Sequence, residues 1–402
     1  MGNLCYRQAK NEEDRLGQFS TPPAIANLLA GLVANGINEP VSLLDLGAGG
    51  GPLAKALDRC IDLGSSALLE VDCAYTEQLA CLPIQGEVKV VRSDFLGDEW
   101  LPTQSPNVVL SNPPYGSFKA SQRLQKLSRD LGFQTPVKGE WMRTDAAFLV
   151  RAWSFMELGT RIGFIVSEAM ITHPSFAKFR SVLVNKLSSL EVIKLEPTIF
   201  ARAEVSAYMI VGTRAVSRRR NVVLQRADSA GQVTEELHVS HSDAVLSLDL
   251  DYHAALKRLS LSVSETSSRL YDLNVSINRG SRSRKQFLDL GISAFHTTDF
   301  PEHSDEVVLG TNNSSGYRDA KSGDILIPRV GTRCLDKQAR VSAGAGVFTD
   351  CVYRISAEAS IQKVVWKTLS SAFGSEWRMA VASGSCAKHL PLATLRSMPL
   401  LF

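Results

Sequence analysis

LLDLGAGGGPLAKAL, residues 43–57, decides the reading of this chain. The apolar run LLDL stops at Gly47, Gly49, Gly50 and Gly51 and resumes as a helical pattern behind Pro52. Proline suits the first turn of a helix, and glycine suits backbone that must pass close to a ligand where a Cβ would collide. Strand, glycine turn and helix in that order make one step of a wound α/β sheet. A dinucleotide fingerprint needs glycine at the sixth position counted from Gly47, and that position is Pro52. Asp45 at the strand end would repel a pyrophosphate and suits a cationic aminoacyl group. That combination favours S-adenosylmethionine over NAD.

Outward from this stretch the same alternation continues. VSLLDL (41–46), SALLEV (66–71), VKVVRS (88–93), NVVLS (107–111), IGFIVS (162–167), LEVIKL (190–195) and VSAYMIV (205–211) read as strands. AIANLLAGLVAN, LAKALDRCI, TDAAFLVRAWSFMEL and PSFAKFRSVLVNKLSS read as helices between them. Thr21 followed by Pro22 reads as an N-cap with proline at the first helical position. Near-continuous apolar strands alternating with helices predict a doubly wound, mostly parallel sheet. The last two runs have no helix between them and predict a closing antiparallel hairpin. SRRRN (217–221) marks a break, followed by polar sequence to about 250. Beyond it, short runs rich in Gly, Ser and Asp predict a mostly β second domain, so the expected domains are 1–245 and 246–402.

A chain of 402 residues, 44% hydrophobic and 21% charged, has enough apolar sequence for two ordinary cores. No apolar run approaches the roughly 18 to 20 residues that span a bilayer, and no secretory h-region opens the sequence, so a cytoplasmic protein with no membrane partner is expected. The seven cysteines form no CxxC spacing, and the seven histidines form no HxxxH or HExxH pattern, which argues against a zinc site or a metal enzyme. Net charge is +3, divided unevenly. The first 250 residues carry 25 basic and 27 acidic groups, and the remainder carries 19 and 14. A basic second domain fits a polyanion partner.

Two further strand tips carry acids. LLEVD offers Glu70 and Asp72, either of which could accept both hydroxyls of a ribose; alternation puts them on the same side, so the sequence does not separate them. VRSDF (91–95) ends the third strand in Asp94, placed to accept from an adenine amino group. The fourth strand leaves the core through SNPPYG (111–116). Pro113 and Pro114 fix φ and remove donors, so the Asn112 side chain and the Pro113 carbonyl become rigid acceptors. An exocyclic amine on an aromatic ring is a poor nucleophile, because its lone pair is delocalised. Two fixed acceptors on its N–H groups favour a pyramidal nitrogen aimed at a methyl donor. Tyr115 is placed to stack on the ring that carries the amine.

These motifs resemble those of the gamma-class N6-adenine DNA methyltransferases. GQFSTPP (17–23) looks like their N-terminal cofactor motif, LLDLGAGGGP like the glycine motif, LLEVD like the ribose motif, RSDF like the adenine motif and SNPPYG like the catalytic motif. IFARAEVSA (199–207) looks like the segment whose Phe, here Phe200, stacks on the other face of an extruded base. The resemblance implies a class I S-adenosylmethionine-dependent methyltransferase fold followed by a DNA-recognition domain. It implies Thr21, Asp45 and Gly47, Gly49 and Gly51 on the methionine part, Glu70 on the ribose, and Asp94 and Phe148 on the adenine. It also implies double-stranded DNA as substrate, and a restriction–modification setting with a cognate restriction endonuclease as candidate partner.

GDILIPRVGTR (323–333) and KHLPLATLRSMPL (388–400) resemble target recognition domains, including those of type I specificity subunits. Arg279, Arg282, Arg284, Lys285, Arg329 and Arg333 are the candidate DNA-binding groups there. Two other readings share parts of this pattern. A glutamine-N5 protein methyltransferase uses N-P-P-Y for an amide nitrogen, but that family ends near its methylase core. A non-catalytic DNA-binding specificity protein would not need an intact SNPPY with its cofactor acids.

Overall fold

The computed structural model describes residues 20–401 except 98–99, 136–139, 197–198, 200–205, 217–221, 261–267, 311–315, 332 and 385–386. The chain gathers into two compact units, one ending at Leu250 and one starting at Asp251.

In the first unit α1 (Pro23–Ala34), β1 (Val41–Leu46), α2 (Pro52–Asp58), β2 (Leu63–Glu70), α3 (Cys73–Ala80) and β3 (Glu87–Arg92) alternate as expected. β4 (Val108–Ser111) leads into a small ribbon, β5 (Ser117–Lys119) and β6 (Trp141–Arg143), with α4 (Gln122–Asp130) between its strands. There follow α5 (Thr144–Trp153), β7 (Arg161–Ser167), α6 (Glu168–Thr172), α7 (Ala177–Lys186), β8 (Leu187–Leu195), β9 (Ala207–Arg214), β10 (Val222–Ala227), β11 (Val233–Val239) and α8 (His241–Leu246).

Nine strands form one sheet in the order β11-β10-β8-β9-β7-β4-β1-β2-β3. β3, β2, β1, β4 and β7 are mutually parallel, and β9 runs antiparallel to both β7 and β8. This is the class I methyltransferase arrangement, including the closing antiparallel hairpin. β4 is buried at every residue and β1 at all but one, because helices cover both faces of the sheet centre. Ile25 and Leu29 of α1 and Leu57 of α2 pack there against Leu43, Leu110 and Ile165, each such buried side chain stabilising by about 1.5 to 3 kcal/mol. Strand order reverses between β1 and β4, so a crevice opens beyond their carboxyl ends.

Two local readings are corrected. The polar sequence after SRRRN is not a break from the sheet: β10 pairs parallel with β8 and antiparallel with β11, extending it. α1 has Pro22 as its N-cap and starts at Pro23, with no side-chain cap, so Thr21 does not cap it. An N-cap oxygen bonds the second or third helical N–H, and two consecutive prolines remove the nearest of these donors.

Arg180 on α7 is fully buried. Its guanidinium donates to the carbonyls of Met170 and His173 at the end of α6 and of Val245 and Leu246 at the end of α8. One cation thus caps two helix C-termini, where unpaired carbonyls and the negative dipole end both favour it.

From α9 (Leu250–Ser260) onward come β12 (Ser276–Arg279), α10 (Arg284–Asp289), β13 (Glu306–Leu309), β14 (Asp319–Lys321), β15 (Ile325–Pro328), β16 (Ala339–Val347), β17 (Val352–Ser356), α11 (Ala359–Leu369), α12 (Ala372–Val381) and α13 (Leu392–Arg396). The second sheet has the order β12-β17-β15-β16-β13, with β14 on β16. Along β15, Ile325 and Ile327 enter one core with Val365, Leu369 and Trp377, while Leu326 enters another with Phe295 and Phe348. The expected β framework is present, and helices α11 to α13 cover one of its faces, an addition the Gly- and Ser-rich texture did not signal. Among the described residues, no helix is long and apolar enough to cross a membrane.

Candidate active site

At the crevice of the first sheet lies a cavity of about 490 Å³. Thr21, Gly47, Gly49, Glu70, Asp94, Asn112, Pro114 and Phe148 all line it. Residues singled out from six separate stretches therefore meet at one place.

The glycine turn folds as its composition demands. Gly47, Gly49 and Gly51 have φ of 68°, 53° and 77°, a region that side-chain-bearing residues enter at a cost. A Cβ on Gly51 would stand 2.3 Å from a Leu82 methyl, so Gly51 serves packing behind the turn and does not line the cavity. Over Gly49 nothing lies within 4 Å of a Cβ position, which leaves its backbone open.

Glu70 closes β2 and is almost wholly buried. Its Oε2 accepts from the Gly49 N–H at 2.8 Å, and its Oε1 accepts from Val71 and Asp72 at 2.8 and 3.0 Å. Three backbone donors lock the carboxylate at the cavity wall, with lone pairs left for a ligand. Asp72 is occupied elsewhere: its carboxylate caps α3, accepting from Ala74 N–H at 2.8 Å. Asp94 accepts from Leu96 N–H at 3.0 Å, which folds its side chain over its own turn. Phe148 packs its ring 5.1 Å from that of Phe95. Val71 stays 44% exposed beside Glu70, an apolar contact offered to a ligand. It sits inside LLEVD, where attention to the acids passed over it.

Asp45 does not reach the cavity. It is completely buried, and neither carboxylate oxygen has a hydrogen-bond partner. Burial, with the charge of Glu70 adding to it, lifts its pKa from 3.8 to about 7; the Ala54 N–H pulls the other way without reaching hydrogen-bond geometry.

The SNPPY segment presents Asn112 and Pro114 to the cavity, and the Asn112 Nδ2 donates to Thr21 Oγ1 at 3.0 Å. Pro113 is buried off the cavity wall. The Tyr115 ring packs against the first unit's apolar core instead of lining the cavity, and its hydroxyl is buried. Desolvation first, and the nearby Asp145 charge second, push that hydroxyl's pKa well up. Asp145 itself accepts from Arg143 Nε at 3.0 Å and from Ser167 N–H at 3.1 Å, which ties the start of α5 to the end of β7. Phe200 lies outside the described residues. Phe118, Lys119 and Tyr75 also line the cavity; the first two follow SNPPYG directly, a proximity that could have flagged them.

In the second unit Arg279, Arg282, Arg284, Lys285 and Arg333 are exposed, and Arg329 is half-buried, its Nε donating to the Asp350 carbonyl at 2.6 Å. Backbone bonds from Gly280 to Val352, from Asp350 to Arg282 and from Arg329 to Cys351 tie the 279–285 stretch and Arg329 to the same turn, at one end of the sheet. Among the described residues, no group of His, Cys, Asp and Glu could hold a metal ion.

Residues 79–255 match the family model of the N-6 DNA methylases. Over 203 residues the chain is 29% identical to the type II methyltransferase M.BsuBI of Bacillus subtilis, a match covering 44% of this chain and 39% of that protein. In three dimensions it is similar to the type IIG restriction endonuclease BpuSI, with a TM-score of 0.52 and 13% identity over 96% of this chain and 59% of that one. A type I restriction–modification methyltransferase subunit from Streptococcus thermophilus aligns with a TM-score of 0.45 and 20% identity, covering 58% of this chain and 52% of that subunit. The chain thus spans well under two thirds of each of these relatives.

Proposed function

We propose that the chain is a site-specific DNA adenine N6-methyltransferase that uses S-adenosylmethionine and works in a restriction–modification system. The observation that carries the reading is the Asn112 carboxamide facing the same cavity as a locked strand-end acid, Glu70, and an open glycine turn. The similarity to N-6 DNA methylases over residues 79–255 supports the same conclusion.

The cavity residues fit the cofactor. Glu70 has the lone pairs and the rigidity to accept both ribose hydroxyls. Phe148, Val71 and Asp94 offer an aromatic, an apolar and an acceptor surface for an adenine. Gly49 leaves its backbone open to the methionine part, and Asp45 supplies a negative charge behind the turn once ionised. When bound, S-adenosylmethionine supplies an electrophilic methyl group.

The Asn112 carboxamide oxygen holds an N–H group of the target amine and aligns its lone pair before reaction, whereas Pro113, off the cavity wall, serves to stiffen the segment. Adenine within a duplex cannot reach this cavity, so the base is extruded at a cost of a few kcal/mol. Of the two rings read from the sequence we assign Phe200 to hold it, because Tyr115 packs into the apolar core. We assign grip and site choice to the second unit, through the arginines gathered at one end of its sheet.

The test is incubation of purified protein with S-adenosylmethionine and unmodified bacterial DNA, followed by mass spectrometry of the nucleosides. N6-methyladenine should form with wild type and fall to background with Asn112→Ala, while the variant still binds cofactor. Methylation of a protein glutamine with none on DNA would overturn the proposal. So would DNA binding without any methyl transfer.

A further inference from the structure

The first unit is acidic overall, yet the segment that follows SNPPYG is not. Residues 117–143 carry six Lys and Arg against two Asp and Glu, while the rest of the first 250 residues carries 19 against 25. This segment is the ribbon β5–β6 with α4, and it leaves the core directly from SNPPYG.

Its cations are displayed outward by a rigid base. On α4, Leu124 and Ser128 are buried, whereas Arg123, Lys126 and Arg129 are exposed at three-residue spacing on the opposite side. α4 is closed at both ends. Ser121 Oγ accepts from Leu124 N–H, and Gly132, with φ of 84°, turns the chain so that Gly132 and Phe133 N–H groups bond the Arg129 and Ser128 carbonyls. Phe133 then anchors the segment, its ring 4.7 Å from Phe179 and 5.2 Å from Trp153. Lys119 and Ser121, at the entrance to α4, line the cavity. Trp141, paired with Lys119 across the ribbon, is 44% exposed. A firmly held basic helix therefore stands at the rim of the cavity, in a unit whose net charge is otherwise negative.

We infer that the outer face of α4 is a phosphate-binding surface, seating the backbone of duplex DNA beside the base that enters the cavity. The inference rests on the proposed function and adds a DNA contact within the first unit, separate from the second unit's arginines. Its partner chemistry follows from complementarity: evenly spaced cations meet a polyanion, and contacts of this kind add affinity and register without reading sequence.

The test uses the full chain with Arg123, Lys126 and Arg129 all changed to Gln, and a fluorescein-labelled duplex of random sequence. Loss of three phosphate contacts should cut the slope of log affinity against log salt by about 2 to 3, and lower affinity at about 0.15 M salt by roughly a hundredfold. Cofactor binding by calorimetry should not change. Should the triple variant not fold, Lys126→Glu alone should still reduce the slope. If wild type binds the duplex and the variants keep its affinity and slope, the inference about α4 is overturned while the proposed function stands. If wild type shows no salt-dependent DNA binding, both fall.

Discussion

The Asn112 side-chain nitrogen donates to the Thr21 hydroxyl at 3.0 Å, across 91 residues of chain. With the nitrogen on Thr21, the carboxamide oxygen is the end that can accept from an amine. Thr21 therefore acts on the residue that orients the target as well as lining the cavity. Thr21→Val keeps the shape and deletes the bond. Turnover should fall about tenfold, the worth of one orienting hydrogen bond, with cofactor affinity nearly unchanged. Weaker cofactor binding with normal turnover at saturation would make Thr21 a cofactor ligand and nothing more.

Glu70 and Asp72 should separate cleanly. Glu70→Gln replaces one accepting oxygen by a donor facing backbone N–H groups, so cofactor affinity should drop by about 1 to 3 kcal/mol. Asp72→Ala should leave that affinity alone and cost about 1 kcal/mol of stability through the lost cap of α3. Calorimetric titration and urea unfolding of both variants give the four numbers needed; the opposite pattern would reassign the ribose contact.

The Asp45 carboxyl, lifted to about 7, predicts a pH dependence with a definite sign. In the unfolded chain it ionises near 3.8, so between those values the folded state holds an extra proton. Stability from this group is complete below about pH 4, declines as pH rises to about 7, and is level above. Asp45→Asn removes the ionisation. Its stability relative to wild type should rise across that window, by at most about 1.4 kcal/mol per pH unit. Unfolding curves for both proteins at several pH values check this, and a constant difference would show that Asp45 ionises normally.

Much of this was legible in the chain because two local signals agreed. Apolar runs such as VSLLDL and NVVLS are strands buried on both faces, and glycine turns or prolines end them. What escaped has physical causes too. β11 is an edge strand exposed along most of its length, so it carries no apolar alternation, and VTEELHV reads only as polar sequence. Thr21 obeys a capping pattern that two prolines defeat, and its real partner is remote in sequence. Glu70 and Asp72 share a face by alternation, and only the three N–H groups converging on Glu70 tell them apart. The cations of α4 look like an ordinary solvated helix until their place beside the cavity is known.

Arg180 also has a consequence for the order in which the first unit comes apart. The ends of α6 and α8, far apart in sequence, share one buried guanidinium. If either helix frays, a charge deep in the fold loses half its solvation, so neither can open cheaply alone. The two should behave as a single cooperative block: in native-state hydrogen exchange, amides of Glu168–Thr172 and His241–Leu246 should report the same opening free energy. Short terminal helices usually exchange first. This one should be among the last segments to let go, and replacing Arg180 by Met should uncouple the two helices and speed both.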